Sequence, residues 1–385
     1  MKFEINYKYP SVPDLRARAK RKIPKFAFEY LDGGCNDDVN LKKNTDRIRA
    51  VELKPKYLVD YTPPSLKTKL FGHTYDAPFG ISPVGLRGLM WPKSPEILAK
   101  AAFDHNIPFV LSTVTTASIE KIAKITEGNA WFQLYHPAEE QVTKDILKRA
   151  EVAGCPVLII LADVPSFGYR PRDIRNGLSM PPKMTLTNII NAAKRPHWAL
   201  QTLIHGQPSF EVLKPYMSKN LNLNQLGKFM DATFSGRLNE EKIKKIRDLW
   251  KGKLVLKGAE SVHDVEIAYQ LGLDGVIVSN HGGRQVDVGQ ATIDALKTIV
   301  PLYKNKLTVM MDSGIRGGAD VARVMASGAD FSFLGRTFMY GVSALGKKGG
   351  NHTISMLKQQ LTQVMEQMSC AEISDLQRKL IQENN

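Results

Sequence analysis

From residue 78 onward, short apolar runs alternate with segments whose apolar positions recur at helical spacing, eight times over. The runs are Phe79–Pro83, Pro108–Leu111, Ala130–Leu134, Val157–Leu161, Leu254–Leu256, Gly275–Val278, Leu307–Met311 and Phe331–Leu334. Their length and β-branched content predict strands buried on both faces. Between them lie SPEILAKAAFDHN, SIEKIAKIT, EEQVTKDILKRAEVAG, EEKIKKIRDLW, VHDVEIAYQLG, TIDALKTIV and ADVARVMASG, and TISMLKQQLTQVMEQM closes the series. Parallel strands need helical crossovers, so the repeats predict an α/β fold, a (β/α)8 TIM barrel. A doubly wound open sheet is the alternative. Against it, the turn Pro83-Val84-Gly85-Leu86-Arg87-Gly88 after the first run lacks GxGxxG spacing.

Residues 12–31 carry a helical pattern with a basic face, interrupted at Pro24 and stopped by Gly33-Gly34. Residues 51–76, broken by Pro55, Pro63 and Pro64, read as a small strand-rich cover. The organisation expected is a single domain over 1–385, with an N-terminal cover (1–77), a barrel (78–345) and C-terminal helices (346–385). One connection breaks the rhythm: roughly 90 residues separate Asp163 from Leu254, where other crossovers take roughly 20–30. Its middle part, 177–235, holds six Lys/Arg against two Asp/Glu. Mixed among them are Met180, Met184, Ile189, Ile190, Trp198, Leu203, Ile204, Phe210, Tyr216, Phe229 and Met230. That mixture suits an interfacial membrane segment, and equally a lid packed on the barrel or on a neighbouring subunit.

Composition narrows the classes. Apolar content of 43% and charged content of 24% describe an ordinary globular protein. The three cysteines, Cys35, Cys155 and Cys370, show no metal spacing, so neither disulfides nor a metal site is expected. The start, MKFEINYKYPSVPDL, lacks the apolar core of a signal peptide, and cytoplasmic residence is expected. The formal charge of +15 suits anionic lipid, nucleic acid or small anions. Its lysines and arginines are dispersed and no zinc-finger or RRM signature occurs, which argues against nucleic acid.

In such barrels chemistry collects at the C-terminal strand ends. These ends read Pro83-Val84-Gly85, Ser112-Thr113, Gln133-Leu134-Tyr135, Ala162-Asp163 with Arg170 beyond, Lys257-Gly258, Ser279-Asn280-His281, Asp312 through Gly318, and Gly335-Arg336. The Gly-rich loop containing Gly314 and Arg316, with Gly335-Arg336, matches the usual phosphate site of the fold, where helix-start N–H groups hold a dianion. Alone, Gly335-Arg336 reads as a turn with a surface Arg. A phosphate beside Lys257, Gln133 and Ser112 points to a phosphorylated planar cofactor, FMN. A second cluster comprises His281, Asp163, Arg284, Arg170, Tyr135 and Tyr30. Asp163 beside His281 is expected to raise the imidazole's affinity for a proton, as a base needs. Two arginines there suit a carboxylate, and tyrosine hydroxyls can donate to a substrate oxygen. Gly282 and Gly283 are expected to let backbone approach a planar ligand. Singly, each has a bland reading: a helix cap for Asp163, core for Tyr135, helix packing for Tyr30, a polar run for Arg170. The remaining histidines lack a partner pattern, and Glu240-Glu241 suits a helix first turn.

The stretch SNHGGRQ resembles the active-site signature of the FMN-dependent α-hydroxy-acid dehydrogenase and oxidase family. The resemblance runs from IPKFAFEYLDGG through APFGISPVGLRGL, STVTTASIE, WFQLY, LKGAESVHD and MDSGIRGGADV to FLGRTFMYG. It looks nearest to the bacterial quinone-linked L-lactate dehydrogenases, which have a similar long insertion with a piece like Arg195-Pro196-His197-Trp198. The resemblance implies oxidation of an L-2-hydroxy acid, L-lactate foremost, with FMN as cofactor, a quinone as acceptor, a homo-tetramer, and a cytoplasmic or peripheral inner-membrane place. A larger or aromatic acid, with oxygen or another acceptor, is the alternative. By the same resemblance His281 is the base, Asp163 its partner, and Arg284, Arg170 and Tyr30 hold the carboxylate. Tyr135 lies near the substrate hydroxyl, and Lys257 beside the flavin N1/O2 edge. Pro83, Val84, Gly85, Ser112, Gln133, Lys257 and Ser279 contact the ring and ribityl chain, and Asp312, Gly314, Arg316, Gly335 and Arg336 the ribityl phosphate. Four departures stand out. Leu161 replaces a flavin-contacting Thr, Pro171 an acidic residue and Val114 a bulky aromatic, while Gly85 resembles the dehydrogenase branch more than the oxidases.

Overall fold

The computed structural model describes residues 6–166, 168–178, 185–218, 225, 229–230, 232–234 and 237–381. Eight parallel strands form the barrel: β1 (Phe79–Ile81), β2 (Val110–Ser112), β3 (Trp131–Leu134), β4 (Val157–Leu161), β5 (Lys253–Lys257), β6 (Gly275–Val278), β7 (Thr308–Met311) and β8 (Phe331–Leu334). Their hydrogen-bonded order is β1-β8-β7-β6-β5-β4-β3-β2. A parallel bridge between Ile81 and Phe109 closes the ring. The (β/α)8 barrel expected from the repeats is the fold, and each predicted run falls on one of these strands.

Alternation along the strands sorts the side chains. Val110, Trp131, Ile159, Val255, Ile277, Met310 and Phe333 point inward and form an apolar plug. The hairpin of Thr68–Leu70 and His73–Tyr75 seals its lower end with Leu70 and Tyr75, and the Trp131 indole donates to the Tyr75 hydroxyl at 3.2 Å. Two residues further up each strand, the period of two brings Ser82, Ser112, Gln133, Leu161, Lys257, Ser279, Asp312 and Gly335 to the inner rim. A mostly polar ring thus caps an apolar barrel.

The N-terminal pattern resolves into two helices, Val12–Lys22 and Lys25–Asp32, parted at Pro24 as expected. Ser11 and Asp14 form a capping box at the first start. A third helix, Val39–Arg49, was not expected from the periodicity. The strand-rich cover over 51–76 is also corrected: among the described residues it holds only the hairpin and a bridge from Leu53 to Leu380. Prolines 55, 63 and 64 lack the N–H that a ladder needs.

The insertion divides into two parts. Helices Leu186–Ala193 and Pro196–His205 lie outermost. They are pinned by Trp198, whose indole donates to the Leu89 carbonyl at 3.1 Å and meets Phe26 edge-on. Their outer faces leave Leu186, Ile189, Ile190, Leu200, Leu203 and Ile204 exposed, Leu203 by 81%. The second part turns inward, burying Phe210, Val212, Leu213 and Met230 against the barrel. Met180 and Met184, counted among the insertion's apolar residues, lie outside the described residues.

Candidate active site

The rim converges on Lys257. Its side chain rises from the end of β5 and donates to Ser279 Oγ at 2.5 Å. Asp312 lies 3.2 Å from its ammonium and Asp163 Oδ2 lies 3.8 Å away. Burial opposes its charge, but Asp312 and then Asp163 outweigh burial and hold its proton more tightly than usual. Ser82, absent from the residues singled out in the sequence, donates to Asp312 from β1 at 3.3 Å.

His281 stands beside this cation on a strained turn. Its φ of 57° is left-handed, unusual for a side-chain-bearing residue, and its backbone N–H is held by Ser279 Oγ at 3.2 Å. Nδ1 faces Asp163 Oδ1 at 3.0 Å. With Asp163 accepting there, Nε2 is the nitrogen left to take a proton. Asp163 stays ionised, because His281 and Lys257 together outweigh the burial that would push it up. The imidazole itself is driven down by burial, and Asp163 recovers only part of that loss. Asp163 thus raises the imidazole's affinity as expected, but desolvation exceeds that pull.

Gly282 and Gly283 continue the same turn. Both take left-handed backbone, with φ of 69° and 70°. A Cβ on Gly282 would lie 2.5 Å from Arg336 NH1, and one on Gly283 2.5 Å from the Leu41 backbone N. Gly283 thus seats the N-terminal cover on the loop, while Gly282 packs against Arg336 and lines the pocket. Asn280 extends that seam through hydrogen bonds with Asn40 and Asn44, each at 2.9 Å.

The two arginines meet over one acid. Arg284 donates to the carbonyls of Tyr30 (2.6 Å) and Gly33 (3.2 Å), and its guanidinium lies 4.8 Å from the Tyr30 ring centre. Arg170 donates to the Arg284 carbonyl and to Gln285 Oε1. Asp173 lies 3.8 Å from Arg170 and 4.0 Å from Arg284. Pro171 occupies the first position of the short helix Pro171–Arg175, which delivers this acid two residues later. Gln285 also donates to the carbonyls of Asp163 and Ser166, tying the loops after β4 and β6 together. It sits inside SNHGGRQ, yet no local pattern marks it as a clasp. Desolvation of the Tyr135 hydroxyl, with Asp163 next, raises it well above the usual phenol range. Phe234 of the insertion packs edge-on against its ring.

These groups share one pocket. Tyr30, Tyr135, Arg170, Lys257, His281 and Arg284 line it, as do Pro83, Val84, Gly85, Asp312, Gly314, Arg316, Gly335 and Arg336. Leu86, Met90, Val114, Phe210 and Met230 form an apolar wall. The last two come from the insertion, and their long sequence distance from the barrel hid them. Ser112 and Gln133 are buried on the adjoining rim, and Ser112 Oγ makes no hydrogen bond.

The residues present fit FMN. Gly85 leaves a slot that a Cβ would narrow to 3.0 Å from Val114 and 3.8 Å from the Tyr30 hydroxyl. The orphaned Ser112 hydroxyl and the buried Lys257 ammonium offer donors to a polar ring edge. At the phosphate end one expectation changes. The helix Gly318–Ala326 has its entry occupied: Asp320 accepts from the backbone N–H of Arg316 and Gly317, and Gln360 from that of Gly318. An anion there would meet side chains and the Gly335 turn instead. Arg336 is half-buried and donates to the carbonyls of Leu31, Gly282 and Gly33, at 3.1, 2.9 and 2.8 Å. Burial lowers it to about 9.

A barrel with this rim has the form of a flavin-dependent dehydrogenase. A family model described as FMN-dependent dehydrogenase matches residues 19–383. The L-lactate dehydrogenase of Vibrio parahaemolyticus is 37% identical, over 95% of this chain and 96% of its own. The (S)-mandelate dehydrogenase of Pseudomonas putida is 34% identical, over 97% and 93%. A crystal structure of the monotopic membrane protein (S)-mandelate dehydrogenase superposes with a TM-score of 0.92 at 33% identity, covering 98% of this chain and 100% of that one. The chain belongs to the FMN-dependent α-hydroxy-acid dehydrogenase family, and FMN is its cofactor.

Proposed function

We propose that this enzyme oxidises an L-2-hydroxy acid, L-lactate first among them, to the 2-oxo acid and passes the electrons to a quinone. The observation that carries this reading is the His281–Asp163 pair at 3.0 Å, facing Arg170 and Arg284 across a single pocket. FMN, held by the β1 turn, Ser112, Gln133, Ser279 and the loops around Gly314, Arg316, Gly335 and Arg336, supplies the two-electron acceptor. Arg170 and Arg284, with Tyr30, grip the substrate carboxylate. His281 Nε2 accepts the hydroxyl proton while Asp163 fixes the ring and stabilises the imidazolium. Tyr135, kept protonated by burial, donates to the substrate oxygen. Lys257 presents a fixed positive charge at the floor.

The apolar wall of Leu86, Met90, Val114, Phe210 and Met230 favours a second reading, a 2-hydroxy acid with a larger or aromatic side chain. The exposed apolar faces of 186–205 support seating on the inner face of the cell membrane, where a quinone is within reach. We further propose a homo-tetramer in which 1–385 works as one unit.

Anaerobic mixing of the holoenzyme with L-lactate, D-lactate and L-mandelate, followed by flavin absorbance, tests the reading. Bleaching by an L-acid is expected, and His281→Ala should slow it about a thousandfold. Bleaching by mandelate alone selects the larger-acid reading, and no bleaching by any 2-hydroxy acid defeats both.

A further inference from the structure

Glu260 is a carboxyl beside the base that the chemistry above leaves unused. It ends the turn Gly258-Ala259-Glu260 after β5, three residues beyond Lys257. Gly258 has φ +92, and a Cβ on it would lie 2.6 Å from Asp163 Cβ, so this turn runs directly against Asp163. Gln290 holds the Glu260 carbonyl at 2.9 Å, and the helix Val262–Gln270 begins immediately after, fixing the turn from both sides. Glu260 Oε1 is buried without a hydrogen bond, and Asp163 Oδ2 has none either, only the Lys257 ammonium 3.8 Å away. Asp163 acts on Glu260 as a like charge, and each oxygen forfeits the bonds it made to water. A proton on one of them converts it into a donor and relieves both. Glu260 is the candidate carrier, since it is only half-buried as a residue, whereas Asp163 is engaged by His281 and Lys257.

We propose that Glu260 is the outer, positioning member of a His281–Asp163–Glu260 chain, holding a proton against Asp163 and releasing it to solvent to strengthen the base. With Glu260 neutral, part of the charge on Asp163 is spent on the glutamic acid hydrogen. When that proton leaves, Asp163 turns its full charge on the imidazole, and Nε2 becomes a better acceptor. The groups facing Glu260 are Asp163 from the β4 loop, Lys257 from β5, Asp264 from the following helix and Asn280 from the β6 loop. Burial first, then Asp163, pushes its carboxyl up to about 7, against a weaker downward pull from Asn280 and Lys257. The exchange therefore falls near neutral pH.

The proposal rests on the hydroxy-acid reading, and its test separates the two. Anaerobic stopped-flow reduction of the holoenzyme by an L-2-hydroxy acid is followed from about pH 6 to about pH 8.5 for the parent and Glu260→Gln. Gln imitates the neutral carboxyl, so the two should react alike at the acid end. The parent should be about threefold faster at the alkaline end, as a base strengthened by a nearby charge would be. A parent-to-variant ratio that stays constant with pH overturns the proposal. Should the variant not fold, infrared spectra of parent holoenzyme with 13C-labelled glutamate decide. A protonated glutamyl band present at about pH 6 and gone by about pH 8 is expected, and its absence at the acid end overturns the proposal. That titration needs no substrate, so a holoenzyme that no 2-hydroxy acid reduces would sink the functional reading while leaving Glu260 testable.

Discussion

At Lys257 one ammonium stands between two buried carboxylates, Asp163 and Asp312. Lys257→Met would leave both facing each other with no cation. Breaking a buried charge cluster this way costs about 3–5 kcal/mol, so a marked fall in melting temperature is expected, together with poor flavin retention in gel filtration. His281 gives a prediction in pH. Its proton affinity is lowered by burial below the ordinary 6.5, and the base works only when neutral. The neutral form therefore persists to more acid pH, and the acid limb of kcat/KM should fall below that value. Asp163→Asn removes the carboxylate that partly restores the imidazole's affinity. The limb should then move further to acid, while kcat/KM drops about a hundredfold or more. A limb above 6.5 in the parent would contradict the burial argument.

Between elements, the glycine seam is the sharpest case. Gly283→Ala places a Cβ against the Leu41 backbone in a left-handed conformation that costs about 1–3 kcal/mol by itself. Thermal melting should show a loss of about 5 °C or more, with hydrogen exchange rising in helix Val39–Arg49. That helix also marks where sequence reasoning stops. Its buried positions are Asn40, Asn44 and Ile48, so its inner face is largely polar and carries no hydrophobic period. The helix Arg336–Leu345 escapes for the opposite reason: nearly every residue from Thr337 to Ala344 is buried, and a uniformly buried helix shows no stripe. The eight strands were legible because β-branched runs contrast with the amphipathic helices beside them. His281, Asp163 and the arginines were legible because strand ends collect chemistry in this fold. Phe210, Met230, Ser82 and Gln285 were not, since only the closed barrel brings them to the pocket.

For the whole molecule, the charge of +15 and the apolar outer face of 186–205 act together. Among the described residues no helix is long and apolar enough to cross a membrane. Binding to anionic vesicles should therefore weaken with salt through the electrostatic part, yet persist in part through burial of Leu203 and its neighbours. Leu203→Asp with Ile189→Asp should abolish the salt-resistant fraction in co-sedimentation and leave reduction by substrate intact. Equal retention by parent and variant would place the contact elsewhere.

The grip of Leu31 and Gly33 on Arg336 spans 305 residues of chain in its first bond. During synthesis the early helix leaves the ribosome long before its guanidinium partner exists, an interval on the order of tens of seconds at ordinary elongation speed. Until β8 is made, the Leu31 carbonyl at the end of Lys25–Asp32 lacks its cation, and the cofactor pocket lacks its final wall. Loading of the flavin is thereby tied to chain completion, and a stalled or truncated product should emerge colourless.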